Sequence, residues 1–475
     1  MAILPELTVL TGAAVFFVLS LFKRLEATQV KNTAVGFGVL ALVAAVISLT
    51  IEASLFFDSY RVDFFSQLFK LMIAFGLAVA VIFGRELKDI DEAVRPEYYL
   101  FLLLSGLGLM MLVSSVELIT IFVALELSSF ALYLLVPMRS DAKGMRLQME
   151  AGIKYILFGV MATGFMLFGM SYIFGLTGTT YLQDIVTGLQ QAPQPAALFA
   201  VLMVMAGFFF KLAVFPMHFW VPDIYQGAAN ETAGFIATVP KLGAVALLIR
   251  ITTLNPGGDM TIVYLLMFLA LCSMFYGNLS ALVQTDVKRM LGFSGISHAG
   301  FILLGLLTLD PGGYAIAIYY IAGYVVMNLA CFLVLCAVSR EGENLAIEDL
   351  KGLHKRQPAL AFILAVGLFA LAGIPPFVGF MGKFMLLTGA LSAGGESTIY
   401  LLVVILAAIN TAIALYYYLS VVRVAYTTDP EDRPEVVVDG LSKAVGVMLV
   451  VLIIIMGTMP TRIIALADSA VRVIM

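Results

Sequence analysis

Long apolar segments recur along almost the whole chain, and they constrain its fold more than any other feature. Each is close to the ~20 residues that an α-helix needs to cross a bilayer, and each is too long and too uniformly apolar for a strand of a membrane barrel. The sequence therefore predicts an all-α polytopic membrane protein with about 14 transmembrane helices in one membrane domain, 1–475. We place the spans at roughly 2–22, 32–53, 63–84, 97–115, 116–138, 149–176, 196–222, 230–253, 260–284, 286–308, 313–338, 358–391, 398–424 and 441–466.

The composition of the chain supports this prediction. Hydrophobic residues make up 62% of the chain and charged residues only 12%, whereas soluble proteins are about 45–50% apolar and about 25% charged. The net charge of −4 leaves no basic surface for a polyanion. A soluble enzyme and a nucleic-acid-binding protein are excluded, and the lipid bilayer is the expected surrounding.

Lysine and arginine are concentrated in alternate connections between the spans. Only Arg61, Arg250, Arg462 and Arg472 fall on the opposite side. Because cytoplasmic loops carry the excess of basic residues, the side of the membrane with the lysine- and arginine-rich connections is predicted to be cytoplasmic. Both termini are predicted to lie outside. The connections on the predicted cytoplasmic side contain Lys23, Arg24, Lys31, Arg85, Lys88, Arg95, Arg139, Lys143, Arg146, Lys288, Arg289, Arg340, Lys351, Lys355, Arg356, Arg423, Arg433 and Lys443.

The remaining basic residues fall inside the spans, and all are lysines that can lose a proton, unlike arginine. A charge at mid-bilayer costs at least ~2.5–3.5 kcal/mol, so such residues indicate function. Glu126 also lies mid-span and could form a static ion pair, but one glutamate cannot pair with three central lysines. Lys70, near a span end, could instead reach an interface, and Glu117, which opens span 5, could face lipid headgroups. The five lysines are Lys70, Lys154, Lys211, Lys241 and Lys383.

Two spans are interrupted by proline. Span 12 would measure ~51 Å as a continuous helix, longer than the ~30 Å hydrocarbon core, and Pro375 and Pro376 must break it. Span 7 contains Pro216, five residues after Lys211. Breaks beside lysines favour polar half-channels, the alternative being a plain proline kink.

Two histidines are candidates for proton relay near neutral pH. His218 follows Lys211 by seven residues, which would place it on roughly the same helix face. His298 lies in span 10 among small and polar residues. Either histidine could equally be a hydrogen-bonded packing residue.

The order of the spans predicts two inverted repeats of five helices each. Spans 4–8, residues 97–253, form the first and spans 9–13, residues 260–424, the second. An odd number of helices per repeat gives the repeats opposite orientation. The broken helices 7 and 12 each come fourth in their repeat. Lysine precedes proline in span 7 and follows it in span 12, so the prediction rests on layout.

Several stretches resemble the antiporter-like membrane subunits of respiratory complex I, and among them the N-type members. The resemblance covers most of spans 4–13. A C-terminal lateral helix, which marks the L-type members, has no counterpart in the short segment after span 14. The stretches are VALELSSFALYLLV, EAGIKYILFG, FFFKLAVFPMHFWVPDIYQGA, VPKLG, QTDVKRMLGFSGISHAGF and GIPPFVGFMGKF.

The resemblance implies one proton path through this chain. Glu126 would act with Lys211 on the cytoplasmic side, Lys154 would lie near Glu126, and Lys241 would bridge to Lys383 on the exit side. Further relay candidates are His218, His298 and Glu117.

The resemblance also implies a proton-translocating NADH:quinone oxidoreductase in the inner membrane of a bacterial cell, with both termini periplasmic. K-, M- and L-type subunits are expected as neighbours. NADH, FMN, Fe–S clusters and quinone are expected in partner subunits, with no cofactor and no metal bound by this chain.

Three alternatives to this function stay open from the sequence. An Mrp-type cation/proton antiporter would use the same buried lysines. A structural subunit would use the charges only to hold helices together. A related complex would take electrons from ferredoxin or a deazaflavin, or work in a plastid, because the donor-binding subunits are other chains.

Overall fold

In the described part of the chain, helices account for nearly all of the secondary structure. A computed structural model describes residues 1–21, 26–83, 87–140, 146–254, 260–427, 429, 433 and 435–475. The predicted cytoplasmic residues Lys23, Arg24, Arg85 and Lys143 lie outside these ranges. The α-helices are α1 (Leu4–Ser20), α2 (Ala27–Ser48), α3 (Phe64–Phe83), α4 (Arg95–Ser114), α5 (Leu118–Leu135), α6 (Leu147–Thr177), α7 (Leu182–Gln191), α8 (Gln194–Leu212), α9 (Val221–Gly227), α10 (Asn230–Thr252), α11 (Met260–Ala281), α12 (Val287–Leu306), α13 (Pro311–Val338), α14 (Leu353–Arg356), α15 (Pro358–Ala372), α16 (Val378–Gly394), α17 (Thr398–Thr427), α18 (Gly440–Thr458) and α19 (Pro460–Arg472).

The helices confirm the predicted fold class. Within the described ranges, twelve are long and apolar enough to cross a membrane. The shorter apolar helix α1 corresponds to predicted span 1. Helices α15 and α16 are the two halves of predicted span 12, so the helix is broken there as expected. Span 7 is likewise divided, into α8 and α9.

Two predicted boundaries were wrong. Span 2 was placed at 32–53, but α2 ends at Ser48 because residues 53–62 form an antiparallel hairpin. The strands of that hairpin are β1 (Ala53–Leu55) and β2 (Tyr60–Val62). Span 14 was placed at 441–466, but α18 ends at Thr458 and Pro460 begins the separate helix α19. Proline is favourable in the first turn of a helix and unfavourable inside one, which explains the division.

The sequence analysis also missed α7, a short helix between α6 and α8. Leu182, Ile185 and Leu189 are its buried residues, whereas its remaining face is polar. Helix α19 has the same character, with Ala467, Ala470 and Val471 buried. Neither has the continuous apolar run of a span, and such amphipathic helices suit a position along a membrane surface.

Three helices form the centre of the bundle. Every residue of α10 is buried, and α12 and α13 are nearly as enclosed. Helices α2, α6 and α17 lie at the periphery and expose large apolar side chains such as Val46, Leu157 and Ile405. Because an apolar outer face is stable against lipid tails, these helices fit a position facing the bilayer. The central helices carry Lys241 and His298.

Carboxylates fix where several spans begin. Glu117 accepts a hydrogen bond from the backbone N–H of Thr120 (2.7 Å) and caps α5. Asp286 accepts one from the N–H of Arg289 (2.9 Å) and caps α12. These caps satisfy donors that the first turn of a helix leaves unpaired.

Candidate functional site

The two broken helices close in the same way. After α8, Ala213 is left-handed (φ 70°) and the N–H of Val214 donates to the carbonyl of Phe209 (2.9 Å). After α15, Gly373 is left-handed (φ 88°) and the N–H of Ile374 donates to the carbonyl of Phe369 (3.0 Å). This bond spacing is that of a Schellman C-cap. Both predicted breaks are therefore real helix ends, each followed by proline.

A buried lysine accompanies each break. Lys211 lies in the last turn of α8, and its Nζ donates to Ser129 Oγ on α5 (2.8 Å). Lys383 lies on α16, and its Nζ donates back across the break to the carbonyls of Leu371 (2.9 Å) and Ala372 (3.2 Å). Those carbonyls end α15, where the helix dipole favours a cation. Both lysines therefore have neutral oxygen partners.

Glu126 lies close to Lys211 without pairing with it. Its Oε1 accepts a hydrogen bond from Thr163 Oγ1 on α6 (2.6 Å). Ser129, which binds Lys211, lies less than one turn further along α5. Glu126 interacts electrostatically with Lys211, but these two described side chains form no ion pair. A movement of either side chain would change this interaction strongly, because the Coulomb energy of two charges changes most steeply with distance when they are close together.

Lys154 does not lie beside Glu126, contrary to what the resemblance implied. Its Nζ bonds Asp223 of α9 (2.6 Å) and Glu150 one turn earlier on α6 (2.7 Å). Asp223 also bonds Arg289 of α12 (2.6 Å). The Lys154 side chain is 36% exposed. Lys154 therefore belongs to a partly exposed ion network at the predicted cytoplasmic ends of α6, α9 and α12.

A tyrosine-rich cluster surrounds Lys241 and His298. Lys241 Nζ donates to Tyr324 Oη (3.0 Å) and lies 3.4 Å from the carbonyl of Gly295. His298 Nδ1 lies 2.7 Å from Tyr320 Oη and its Nε2 lies 3.2 Å from Tyr418 Oη. Four helices, α10, α12, α13 and α17, thus converge here. Tyrosine hydroxyls both donate and accept, so they can link proton carriers.

His298 connects the lysines of the second half electrostatically. It interacts with both Lys241 and Lys383. Lys383 Nζ also lies 5.1 Å from the ring centre of Phe301, one turn along α12 from His298. The sequence analysis had found these three residues separately, and the fold brings them into one buried cluster.

His218 is not on the helix face of Lys211, because α8 ends at Leu212. Its ring is fully buried and packs against Phe215, Phe219 and Tyr276, with centroids 4.3–5.4 Å apart. Neither ring nitrogen has a hydrogen-bond partner among the described residues. The structure thus places His218 inside the break, in an aromatic cage.

Two further sequence interpretations need correction. Glu117 is only 7% exposed and caps α5 instead of facing headgroups. Lys70 does not reach an interface, because it is wholly buried and pairs with Glu6 of α1 (2.6 Å).

The sequence analysis missed most of the buried acids. Glu6 lies next to Pro5 in the first span, Asp63 pairs with Arg250 of α10 (3.0 Å), and Glu231 is buried in the first turn of α10. Lys288, assigned to a loop, is 1% exposed. An acid beside an apolar run was a usable signal for Glu6 and Glu231. Asp63 also precedes an apolar run, but its partner Arg250 lies on a distant helix and could not be identified from the sequence.

No three His, Cys, Asp or Glu side chains come together in the described ranges as they would to hold a metal ion.

The chain is similar in sequence to known proteins. Residues 115–411 match the family described as the NADH:quinone oxidoreductase/Mrp antiporter membrane segment. The chain is 51% identical to NADH-quinone oxidoreductase subunit N 2 of Opitutus terrae over 96% of this chain and 95% of that protein.

Solved structures are similar over nearly the full length. A chain of respiratory complex I from Thermus thermophilus with bound aureothin is 29% identical, with a TM-score of 0.84 over 98% of this chain and 99% of that one. A chain of the Mrp complex from Dietzia is 20% identical, with a TM-score of 0.85 over 99% of this chain and 96% of that one. The second likeness concerns the fold alone.

Proposed function

The chain belongs to the NADH:quinone oxidoreductase/Mrp antiporter membrane family, and we propose that it moves protons across the membrane as a subunit of a complex I-type NADH-quinone oxidoreductase. One observation carries this proposal. Three lysines inside the helix bundle, Lys211, Lys241 and Lys383, are buried and bind neutral oxygen atoms. A buried lysine without a carboxylate partner can gain or lose a proton when a nearby charge changes.

The proton path runs through these lysines in order. Protons enter from the cytoplasm at Glu126 and Lys211, pass to Lys241, and leave to the outside from Lys383. The hydrogen bond between Lys241 and Tyr324 and the position of Lys383 beside Phe301, one turn along α12 from His298, support the second half of the path. Quinone reduction elsewhere in the complex drives the path by changing charge next to Glu126. Lys154 contributes at the cytoplasmic entrance, where it bonds Asp223.

His218 and Glu117 have lesser roles in this proposal. His218 lies in the break after Lys211 and is a relay candidate if water reaches its ring nitrogens. Glu117 caps α5 and so holds Glu126 at its depth.

The proposed path has the symmetry of two inverted repeats, 97–253 and 260–424. The matched C-caps at Ala213 and Gly373 support this arrangement, since each ends the first half of the fourth helix. Discontinuous helices in related positions are typical of ion sites in inverted repeats.

The subunit sits in the inner membrane of a bacterial cell, with both termini periplasmic. The excess of lysine and arginine in alternate connections supports this orientation. K-, M- and L-type subunits are its neighbours, and the redox groups (FMN, Fe–S clusters and the quinone) are bound by partner subunits.

The test compares Lys383→Met with Lys355→Met in the assembled complex. Methionine keeps most of the length of the side chain and removes its charge, and Lys355 lies in the short helix α14 with its side chain 55% exposed. We expect Lys383→Met to lower both proton translocation and NADH oxidation in inverted membrane vesicles, with little change in Lys355→Met. Unchanged rate and proton-to-electron ratio in Lys383→Met would contradict the proposal. Sodium-dependent exchange without quinone reduction would instead support an Mrp-type antiporter.

A further inference from the structure

A buried carboxylate lies apart from the path described above. Glu231, in the first turn of α10, is 4% exposed, and its Oε2 has no hydrogen-bond partner among the described residues. Lys288, at the start of α12, is also buried, and its Nζ donates to the carbonyl of Ala228 (2.8 Å). The two side chains interact electrostatically. An unpartnered carboxylate oxygen in such a position is costly, so it calls for a functional reason.

A small cavity reaches this carboxylate. Its volume is about 40 Å³, enough for one or more water molecules, each of which needs roughly 10–15 Å³ measured in this way. Glu231, Lys88 and Cys336 line it, together with Asp439 and Ser442 at the start of α18. Those elements end on the predicted cytoplasmic side, so water from that side has a short route to Glu231.

Several charged or titratable groups act on Glu231 from the neighbouring elements. They lie on α4, α12, α13 and the connection between α3 and α4. Two of them, Lys88 and Lys288, carry a charge opposite to that of the carboxylate. The groups are Tyr98, Lys88, Asp89, Lys288 and Cys336.

Polar side chains continue from this cavity toward Lys241. On α13, Cys336, Phe332, Asn328 and Tyr324 follow one another at intervals of four and therefore share a face. Asn328 Oδ1 and the hydroxyl of Tyr225 are buried with no partner in the described part of the chain. The Tyr225 ring packs against that of Phe332, with centroids 6.4 Å apart. The Tyr225 hydroxyl can thus continue this line of polar groups past Phe332, which is its one apolar member.

This line of polar groups along α13 ends at Lys241, which belongs to the proposed proton path. Asn328 Nδ2 donates to the carbonyl of Tyr324 (2.9 Å), and Tyr324 Oη accepts from Lys241 Nζ (3.0 Å). From Cys336 to Tyr324 the distance along α13 is ~18 Å. The unpartnered oxygens along it are sites where water can complete a chain of hydrogen bonds.

We infer that Glu231 is the entrance of a second cytoplasmic proton inlet, which supplies Lys241 without passing through Glu126 and Lys211. The inference rests on the proposed function. The carboxylate takes a proton from water in the cavity and becomes neutral. It then gives this proton, through the Tyr225 hydroxyl and water held by Asn328 Oδ1, to the uncharged amine of Lys241, which becomes the cation while Glu231 returns to its charged form. The Lys288 cation favours the charged carboxylate between transfers.

The test uses four variants of the assembled complex in inverted vesicles: Glu231→Gln, Glu126→Gln, the double variant and Lys383→Met. Because one of two parallel inlets closes while the other stays open, we expect each single glutamine variant to lower proton translocation without abolishing it. The double variant should fall to the level of Lys383→Met. Glu231→Asp should restore most of the loss, and the infrared band of a protonated carboxyl that appears during turnover should be missing from Glu231→Gln.

The outcomes separate this inference from the proposed function. Wild-type translocation in Glu231→Gln, together with loss in Lys383→Met, would overturn the inlet alone. Full translocation in Lys383→Met would overturn the proposed function and the inlet with it. If Glu231→Gln fails to assemble, Tyr225→Phe removes only a hydroxyl from the same route. Partial loss there would support the inlet, and none would overturn it.

Discussion

At the scale of single residues, the buried cations other than Lys288, which lies in the first turn of α12, fall into two groups. Lys70 and Arg250 each bond a carboxylate, from Glu6 and Asp63 respectively. Lys211, Lys241 and Lys383 bond only neutral oxygens within the described ranges. A paired charge resists any change of protonation, because removing one partner leaves the other uncompensated. The first group is therefore suited to hold helices, and the second to carry protons.

Glu343, in the connection after α13, gives a prediction that depends on pH. Burial raises the pKa of this carboxyl, but the backbone N–H groups of Arg340 and Glu341 and the Ser339 hydroxyl more than reverse that effect, so the pKa lies below its usual 4.5. A lowered folded-state pKa adds stability above the unfolded-state pKa, and this stability is lost as pH falls through the folded-state value.

We expect Glu343→Gln to destabilise the complex at neutral pH by no more than about 1 kcal/mol, since solvent screens part of the interaction. The difference in melting temperature from the wild type should shrink as pH falls below 4.5. Thermal unfolding of the purified complex at several pH values measures this difference. Glu341→Gln, at an exposed neighbour, is the control. A difference that stays constant with pH would contradict the assignment.

At the scale of elements, the break between α15 and α16 depends on close contact of their backbones. A Cβ atom at Gly379 would lie 1.7 Å from the carbonyl oxygen of Ala370. A backbone atom cannot move aside as a side chain can, so any larger residue must push α16 away from α15. That movement would separate Lys383 from the carbonyls of Leu371 and Ala372, to which it now donates.

Gly379→Ala should therefore destabilise the chain by ~1–3 kcal/mol and should also reduce proton translocation. Gly389→Ala on the same helix is the matched control, because a Cβ there meets only the side chain of Ile316 at 3.4 Å. The measurement is translocation in vesicles, normalised to the amount of assembled complex. Full activity in Gly379→Ala would show that the position of Lys383 does not depend on this contact.

At the scale of the whole molecule, ion pairs attach α1 and α3 to the bundle centre. Glu6 of α1 bonds Lys70 of α3 (2.6 Å) and accepts from the hydroxyl of Tyr60 (2.5 Å) in the hairpin. Asp63 before α3 bonds Arg250 at the end of α10. Helices outside the proposed repeats are thereby connected to α10, which carries Lys241.

Lys70→Met alone should destabilise the complex by ~3–5 kcal/mol, because Glu6 is left as an uncompensated buried charge. The double variant Glu6→Gln with Lys70→Met should recover much of that loss. Heat inactivation of the purified complex compares the variants. The proton-to-electron ratio of the complex that does assemble should not change, since the pair is static. Equal instability of the single and double variants would show that the two residues are not coupled.

The class of fold, the number of spans, the two broken helices and the position of the central lysines within spans could all be predicted from the sequence. Each of these follows from hydropathy, proline and charge summed over about one span, a local property that the neighbouring helices do not alter. The Pro375–Pro376 break and the position of Lys211 within an apolar helix are of this kind.

Which charges meet depends on how the helices pack. Lys154 bonds Asp223 instead of lying beside Glu126. Lys70 forms an ion pair with Glu6, and Lys288 interacts electrostatically with Glu231. The partners lie on helices far apart in the sequence, and a rotation of any helix about its axis would leave its hydropathy unchanged while exchanging those partners. Ion pairing at a few ångströms depends on that rotation, which the packing of the whole bundle sets.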